Sequence, residues 1–163
     1  MFALRPVGLE FLDSAPVVLR ETLKLAAPPV AIFDALAEPS SWNSWFTLMR
    51  DARWTSIETA CVGAERYVSV HVLGNLEERI VAFERGKRFS FTMLKGTLPA
   101  AESMLEDYLL FAENGGTRIE WCLAVAPTLL GKATLPLTRL AMRQIIRSSG
   151  PKLEQYAKAK GSA

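Results

Sequence analysis

Hydrophobic and polar residues alternate along much of this chain, which predicts a protein built mainly of β-strands. From Val17 to Leu25, Arg20, Thr22 and Lys24 fall on one side of a half-exposed strand. From Arg50 onward, similar runs are separated by turns that contain Gly or Asn. These runs predict six further strands: Asp51 to Ile57, Ala64 to Leu73, Leu76 to Glu84, Lys87 to Leu94, Ala101 to Ala112 and Thr117 to Val125.

Two short helices in tandem are predicted after the first strand. One begins at Pro29 and ends before Pro39, because proline is favoured in a first helical turn and cannot continue a helix. The other is capped by Ser40 or Ser41. It stacks three aromatic side chains on one face: Trp42, Trp45 and Phe46.

The C-terminal arm from Thr134 to Lys160 is predicted to form a long helix. Its apolar residues recur at three- and four-residue steps and define the predicted inward face: Leu137, Leu140, Ala141, Ile145, Leu153, Tyr156 and Ala157. A basic row occupies a different face: Arg139, Arg143 and Arg147. Gly150-Pro151 predicts a kink or break, because proline lacks an N–H donor. The preceding segment, Ala126 to Pro136, is predicted to be a linker and a hinge or lid candidate.

The turn Asn114-Gly115 predicts the register of the last hairpin. A two-residue loop of this composition places Tyr108 opposite Trp121 and Glu106 opposite Leu123. Both cross-strand neighbours are typical core residues. Glu106 and Tyr108 are therefore predicted to face the interior.

The candidate catalytic groups are four: Glu106, Tyr108, His71 and Glu78. A loop at Gly74-Asn75 would place His71 opposite Glu78, and a carboxylate beside an imidazole fixes its tautomer and raises its basicity. The valines that alternate with His71 make the opposite face more apolar, however, which favours an outward His71. A buried Glu106 fits either a tuned functional carboxyl or a structural acid.

A curved sheet around one helix leaves space that the helix cannot fill, so a hydrophobic cavity is predicted. Its predicted lining is Trp42, Trp45, Phe46, Tyr67, Phe91, Met93, Trp121, Leu137, Ala141 and Ile145. The aromatic residues of the second short helix fit a packed core equally well. Three arginines fit either an anionic headgroup or a solvated sheet face: Arg66, Arg79 and Arg118.

Length and composition exclude several classes of protein. The 163 residues suit one domain, and a formal charge of +2 without a dense basic cluster argues against a nucleic-acid partner. No phosphate loop, nucleophile elbow or dinucleotide fingerprint is present, and one histidine with two widely spaced cysteines matches no metal spacing. No cofactor or metal is expected. The cysteines are expected to be reduced in a cytoplasmic protein.

Several short segments carry a resemblance to a known family: Leu23 to Leu36, Trp42 and Trp45, Val62 to Ala64, and Gly115 to Trp121. With the order of elements, they resemble the START-related helix-grip (SRPBCC) superfamily, and within it the polyketide cyclase/dehydrase and lipid-transport branch. The resemblance covers Val17 to Tyr156. It implies an α+β fold in which a curved antiparallel sheet of about six to seven strands wraps around a long C-terminal helix. Residues 1–16 are then an N-terminal extension and residues 17–160 a single START-like ligand-binding domain.

The expected function is binding of a small hydrophobic molecule, such as a lipid, polyketide or aromatic metabolite, as a carrier or sensor. One alternative is a cyclase/dehydrase-type enzyme in which Glu106, Tyr108 or the His71/Glu78 pair moves protons. The other is a protein-protein interaction module. A monomer or homodimer is expected, with no nucleic-acid partner and no stable membrane insertion.

Overall fold

A computed structural model describes residues 1–56 and 60–161 of the chain. The strands are β1 (Phe2–Ala3), β2 (Val17–Leu25), β3 (Met49–Trp54), β4 (Glu65–Val70), β5 (Gly74–Glu84), β6 (Arg88–Gly96), β7 (Ala101–Glu113) and β8 (Gly116–Pro127). The helices are α1 (Phe11–Ser14), α2 (Pro29–Ala37), α3 (Trp42–Trp45) and α4 (Leu129–Gly161), with a 3₁₀ turn at Pro39–Ser41. The strands form one antiparallel sheet in the order β2-β8-β7-β6-β5-β4-β3, and β1 pairs with β6.

Each predicted strand and both short helices are present. Strand β3 begins at Met49, and Ile57, the predicted end of that strand, lies outside the described residues. The additional strand β1 is too short for an alternating pattern to reveal it. It pairs with Lys95 and Gly96, beyond Thr92, where the pairing of β6 with β7 ends.

The N-terminal segment lies against the body of the protein. Leu4 is buried and belongs to the main core between the sheet and the helices. Phe11 packs with Leu105 and Ala124 on the opposite face of the sheet. Residues near the N-terminus therefore cover both faces.

Helix α4 packs against the sheet with a different face from the predicted one. Its buried residues include Met142, Ile146 and Leu153, whereas Leu137 is 72% exposed and Ala141 is also exposed. The inward face includes hydroxyl residues, among them the buried Ser149. A pattern built from apolar residues alone therefore selected the wrong face for the first half of α4. Ile145 is buried as predicted.

Helix α4 is longer and more continuous than predicted. The predicted linker Ala126 to Pro136 is wrong, because β8 continues through Pro127 and α4 begins at Leu129. A kink or a break was predicted at Gly150-Pro151, and the helix continues through it without a break. At Gly150 a Cβ atom would lie 3.2 Å from Leu23 Cδ1, so close packing on β2 supports the helix there.

The two hairpin predictions had different outcomes. Asn114 and Gly115 both have positive φ, and Tyr108 pairs with Trp121 as predicted. At the other hairpin, Val70 pairs with Gly74, so the loop is residues 71–73 rather than Gly74-Asn75. The predicted opposition of His71 and Glu78 is wrong.

The corrected register decides which side chains face the helix. Arg66 pairs with Glu78, and both side chains are buried. His71 follows the end of β4 and is exposed, as the alternation of the valines favoured. A change of register by an odd number of residues moves a strand's side chains to the other face. Glu78 therefore meets an arginine rather than a histidine.

Candidate ligand-binding site

A cavity of about 160 Å³ lies between the sheet and the first half of α4. Its lining is mostly apolar and comes from several elements, including Leu4 near β1, Met93 on β6, Leu123 on β8 and Met142 on α4. The exposed Thr134 also lines it. The opening therefore lies beside the first turns of α4.

Two carboxyl groups lie in this apolar cavity. Glu78 on β5 and Glu106 on β7 both line it, and they are only 3% and 8% exposed. They are the charged residues of the lining within the described chain. Burial disfavours an ionised carboxylate unless partners compensate for the lost water. The contacts of each carboxyl group therefore decide its chemistry.

One oxygen of Glu106 accepts two hydrogen bonds. The Tyr108 hydroxyl donates to Glu106 Oε1 at 2.5 Å, and the Trp121 indole Nε1 donates to the same atom at 2.6 Å. The hairpin register brings these donors together, since the rings of Tyr108 and Trp121 have centroids 4.6 Å apart. Glu106 is thus held in a fixed orientation by its own strand and the next one.

The environment of Glu106 raises its pKa to about 7. Desolvation by burial is the largest cause, and the negative charge of Glu78 adds to it, whereas the bonds from Tyr108 and Trp121 act in the opposite direction. Burial and the neighbouring Glu106 hold the pKa of Tyr108 well above its ordinary value. Tyr108 is therefore a hydrogen-bond donor at neutral pH, and Glu106 can give or take a proton.

Glu78 is paired with a buried arginine. Arg66 Nε donates to Glu78 Oε2 at 2.5 Å, and Arg66 is 0% exposed. The guanidinium carbon lies 4.3 Å from the ring centroid of Trp42 and 4.2 Å from that of Phe91, close enough for cation–π attraction. Desolvation nevertheless raises the pKa of Glu78, more than the charge of Arg66 lowers it.

Sequence reasoning missed the role of Arg66, which it left between a headgroup contact and a solvated face. Arg66 has the same strand parity as Val68 and Val70, and all three are buried. That parity was the available signal, because alternate residues of a strand face the same side. Burial of a charged side chain is energetically costly, so the strand parity alone did not justify predicting a buried Arg66. Only the correct register reveals that Glu78 compensates for this charge.

Six of the predicted site residues line the cavity: Trp42, Phe46, Phe91, Met93, Glu78 and Glu106. Four others are buried in the core outside the lining: Trp45, Tyr108, Trp121 and Ile145. Trp45 Nε1 donates to Ser41 Oγ at 3.0 Å, and Ser41 donates to a backbone carbonyl instead of capping α3. The aromatic residues of α3 therefore divide between the packed core and the cavity wall.

The remaining predicted site residues lie away from the cavity: His71, Tyr67, Leu137 and Ala141. Tyr67 alternates with Arg66 and Val68 and therefore faces the other side of the sheet, where the Arg53 guanidinium lies 4.4 Å from its ring centroid. Leu137 and Ala141 belong to the outward face of α4. The lining predictions for Tyr67, Leu137 and Ala141 are corrected, and the catalytic candidate His71 lies outside the lining.

The described residues offer no evident place for a metal ion. Within residues 1–56 and 60–161, no three His, Cys, Asp or Glu side chains are grouped so that they could hold one. Cys61 is exposed and Cys122 is buried, and both are free thiols. In the same ranges, no helix has both the length and the apolarity needed to cross a membrane.

The sheet, the long C-terminal helix and the cavity between them define a helix-grip protein. The family described as polyketide cyclase/dehydrase and lipid transport matches residues 16–158, and the chain belongs to this family. An uncharacterized protein of Mycobacterium tuberculosis is 32% identical over 171 residues, which cover 100% of this chain and 98% of that protein.

Solved structures confirm the fold predicted from the resemblance. The ginseng major latex-like protein 151 of Panax ginseng is 13% identical, with a TM-score of 0.73 over 86% of this chain and 97% of that chain. A crystal structure of a Nitrosomonas europaea protein is 20% identical, with a TM-score of 0.69 over 90% of this chain and 97% of that chain. At these identities the likeness establishes the helix-grip architecture and nothing about the ligand.

Proposed function

We propose that this protein binds a small hydrophobic molecule, a lipid, polyketide or aromatic metabolite, in the cavity under α4 and acts as a carrier or sensor. The observation that carries the proposal is a mostly apolar cavity in which two buried carboxyl groups, Glu78 and Glu106, are the charged groups of the described lining. Ligand sites commonly combine an apolar wall with a few polar groups that orient the ligand. The family description, which includes lipid transport, supports the same function.

Mass spectrometry of molecules extracted from the purified protein tests this proposal. A matched pair of variants locates the binding site. Met104 lines the cavity, and Leu109 on the same strand faces the other side of the sheet, while both are half-buried. Met104→Trp should greatly reduce the retained ligand, because the larger side chain occupies the cavity. Leu109→Trp should retain it, and equal retention by both variants would contradict binding in this cavity.

A second candidate is an enzyme of the cyclase/dehydrase kind, favoured by the pKa of about 7 at Glu106. A carboxyl group with that pKa is partly ionised near neutral pH and is suited to general acid or base catalysis. The proposed roles are proton transfer by Glu106 and hydrogen bonding by Tyr108, which holds its carboxylate. The exposed His71 has no part in this proposal, because it lies away from both carboxyl groups.

Chemical conversion separates the two candidates. An enzyme should convert a retained polyketide to a product of different structure, and Glu106→Gln should stop the conversion while the protein still binds the molecule. A carrier should return the retained molecule unchanged. An empty protein that purifies with a stable protein partner would contradict both candidates and support an interaction module.

A further inference from the structure

We infer that the part of the cavity lined by Glu78 and Glu106, here called its buried end, recognises a hydrogen-bond donor on the ligand, so that hydrophobic alcohols and phenols bind in preference to ethers and carboxylates of the same size. The inference rests on the proposed function and specifies its ligand class. The donors and acceptors that the cavity presents determine this ligand class.

Each cavity carboxyl group keeps one oxygen free. Glu106 Oε1 accepts from Tyr108 and Trp121, and Glu78 Oε2 accepts from Arg66, whereas no described residue donates to Glu106 Oε2 or Glu78 Oε1. Among the described side chains, the buried polar atoms without a partner are Arg66 Nη1 and Nη2 alone. The two free carboxyl oxygens are not among these enclosed atoms, and both residues line the cavity. An acceptor in an apolar cavity is stabilised by a ligand donor.

The other polar groups of the cavity do not supply competing donors. Thr138 donates its hydroxyl hydrogen to the Thr134 carbonyl at 3.0 Å, and Thr134 donates to the Leu130 carbonyl at 3.2 Å. Arg66 does not belong to the lining, since its guanidinium contacts the rings of Trp42 and Phe91. The surface that the buried end presents to a ligand is thus rich in acceptors and poor in donors, because the unpartnered Arg66 Nη1 and Nη2 are enclosed and outside the lining.

This imbalance selects among ligands of similar shape. A hydroxyl group can donate to a free carboxylate oxygen and form a charge-assisted bond, which is stronger than a neutral one. An ether lacks the hydrogen and leaves the acceptor unpaired. A carboxylate placed beside Glu78 and Glu106 would also add a like charge at a desolvated site.

The preference should depend on pH, because Glu106 changes from donor to acceptor. Its Oε1 is occupied by two donors, so the proton of the neutral acid resides on Oε2 and points to the cavity. Ionisation removes this donor and leaves an acceptor. The charged or titratable groups that act on Glu106 here are Glu78 on β5, Arg66 on β4 and Tyr108 on its own strand. Helices α3 and α4 contribute no titratable side chain to the described lining.

Isothermal titration of the whole protein with matched probes tests the inference: octanol, its methyl ether and octanoate, then p-butylphenol and p-butylanisole. About two units above the pKa of about 7, each hydroxyl probe should bind at least about tenfold more tightly than its ether. Octanol should also bind more tightly than octanoate. At a pH about two units below that pKa, the ratio of alcohol affinity to ether affinity should be smaller. Comparison of octanol with p-butylphenol shows whether the cavity prefers an alkyl alcohol or a phenol.

Glu106→Gln provides a directional test. Since Tyr108 and Trp121 need an acceptor, the amide oxygen should take the place of Oε1 and the NH₂ group should face the cavity. The variant should therefore lose most of the preference for the hydroxyl probes. Glu120→Gln is the control, because Glu120 lies on the neighbouring strand and its side chain is 46% exposed outside the cavity lining.

The outcomes separate this inference from the proposed function. Binding of all probes without discrimination, or equal binding of octanol and octanoate above the pKa, would overturn the donor preference and leave hydrophobic binding intact. Failure of every probe to bind would overturn the proposed function with it. The comparison in the unmodified protein remains decisive even where Glu106→Gln does not fold.

Discussion

The indole of Trp121 donates a 2.6 Å hydrogen bond to Glu106 Oε1 across the β7-β8 hairpin. Tyr108 donates to the same oxygen, so two neutral donors support one buried carboxyl group. They do not fully offset desolvation, since the pKa of Glu106 rises to about 7. Ionisation of Glu106 therefore destabilises the folded protein, and the effect can be measured as a change in the free energy of unfolding.

Glu106→Gln should remove a pH-dependent loss of stability. With a pKa of about 7 in the folded protein and 4.5 as the reference value, the folded state binds more protons between these values. The free energy of unfolding should thus fall as pH rises through this window, by up to about 3 kcal/mol. Urea denaturation near pH 5 and near pH 8 measures the fall, which should be smaller in the variant. Glu120→Gln should leave it unchanged, and an equal fall in Glu106→Gln would contradict the assignment.

The Arg66 and Glu78 pair should be strongly coupled. Glu78→Leu should destabilise the protein by about 3 to 5 kcal/mol, because it leaves the buried Arg66 guanidinium without its counter-charge. The double variant Arg66→Met, Glu78→Leu should recover much of this loss. A double-mutant cycle by chemical denaturation measures the coupling.

An exposed ion pair provides the control for that cycle. Arg85 and Asp34 have side chains 66% and 50% exposed, and solvent screens their attraction. Asp34→Asn should have no measurable effect. Additive single effects at Arg66 and Glu78 would contradict the coupling.

The sequence predicts a hairpin register only where the turn residues agree with the turn geometry. Asn114 and Gly115 both tolerate the positive φ that they adopt, so the register of β7 and β8 was predictable. In the β4-β5 loop Val72 has a φ of 74°, which a β-branched residue rarely adopts. Gly74-Asn75 is the more favourable turn sequence, and a turn predicted there placed the wrong residue opposite Glu78. Tertiary packing outweighs local preference at that loop.

The cavity face of α4 could not be predicted from apolar residues for a related reason. Leu137 and Leu140 stay exposed at 72% and 67%, while Thr138 faces the cavity. A helix that covers a cavity need not present its most apolar face to the sheet. The aromatic cluster of α3 was predictable as a group, but its division into Trp45 in the core and Phe46 at the cavity depends on packing.

Trp45→Ala should reduce the free energy of unfolding by about 3 kcal/mol. Trp45 is 0% exposed, and its removal leaves a large void and takes away the indole donor to Ser41 Oγ. Chemical denaturation measures the loss. Trp54→Ala removes a tryptophan that is only half-buried and should cost less. A change within experimental error at Trp45 would place this side chain at an exposed surface instead of in the core.

The first half of α4 is predicted to open for ligand entry. Its outward leucines contact solvent and its inward face covers the cavity, so few protein contacts hold it closed. The segment is anchored at both ends. Thr128 Oγ1 donates to the Pro99 carbonyl at 2.8 Å, and Ser149 Oγ accepts from Thr47 N at 3.0 Å. Gly131 is not a free hinge, because a Cβ there would lie 1.9 Å from the Ala100 carbonyl oxygen.

A matched pair of proline substitutions tests this opening. Pro136 lies inside the segment and Pro151 beyond its second anchor, and both are exposed within α4. Pro136→Ala should restore a backbone N–H and remove the ring clash with the preceding turn, which stiffens the helix over the cavity. Ligand release by stopped-flow fluorescence should then slow several-fold, and amide exchange in residues 130–141 should become slower. Pro151→Ala should change neither quantity. Opening of the helix must expose backbone amides that a closed helix protects from exchange. Two results together would therefore show that α4 is not the entrance. The first is equal amide protection of residues 130–141 and of β7 and β8 in the ligand-free protein, and the second is ligand release from Pro136→Ala at the rate of the unmodified protein.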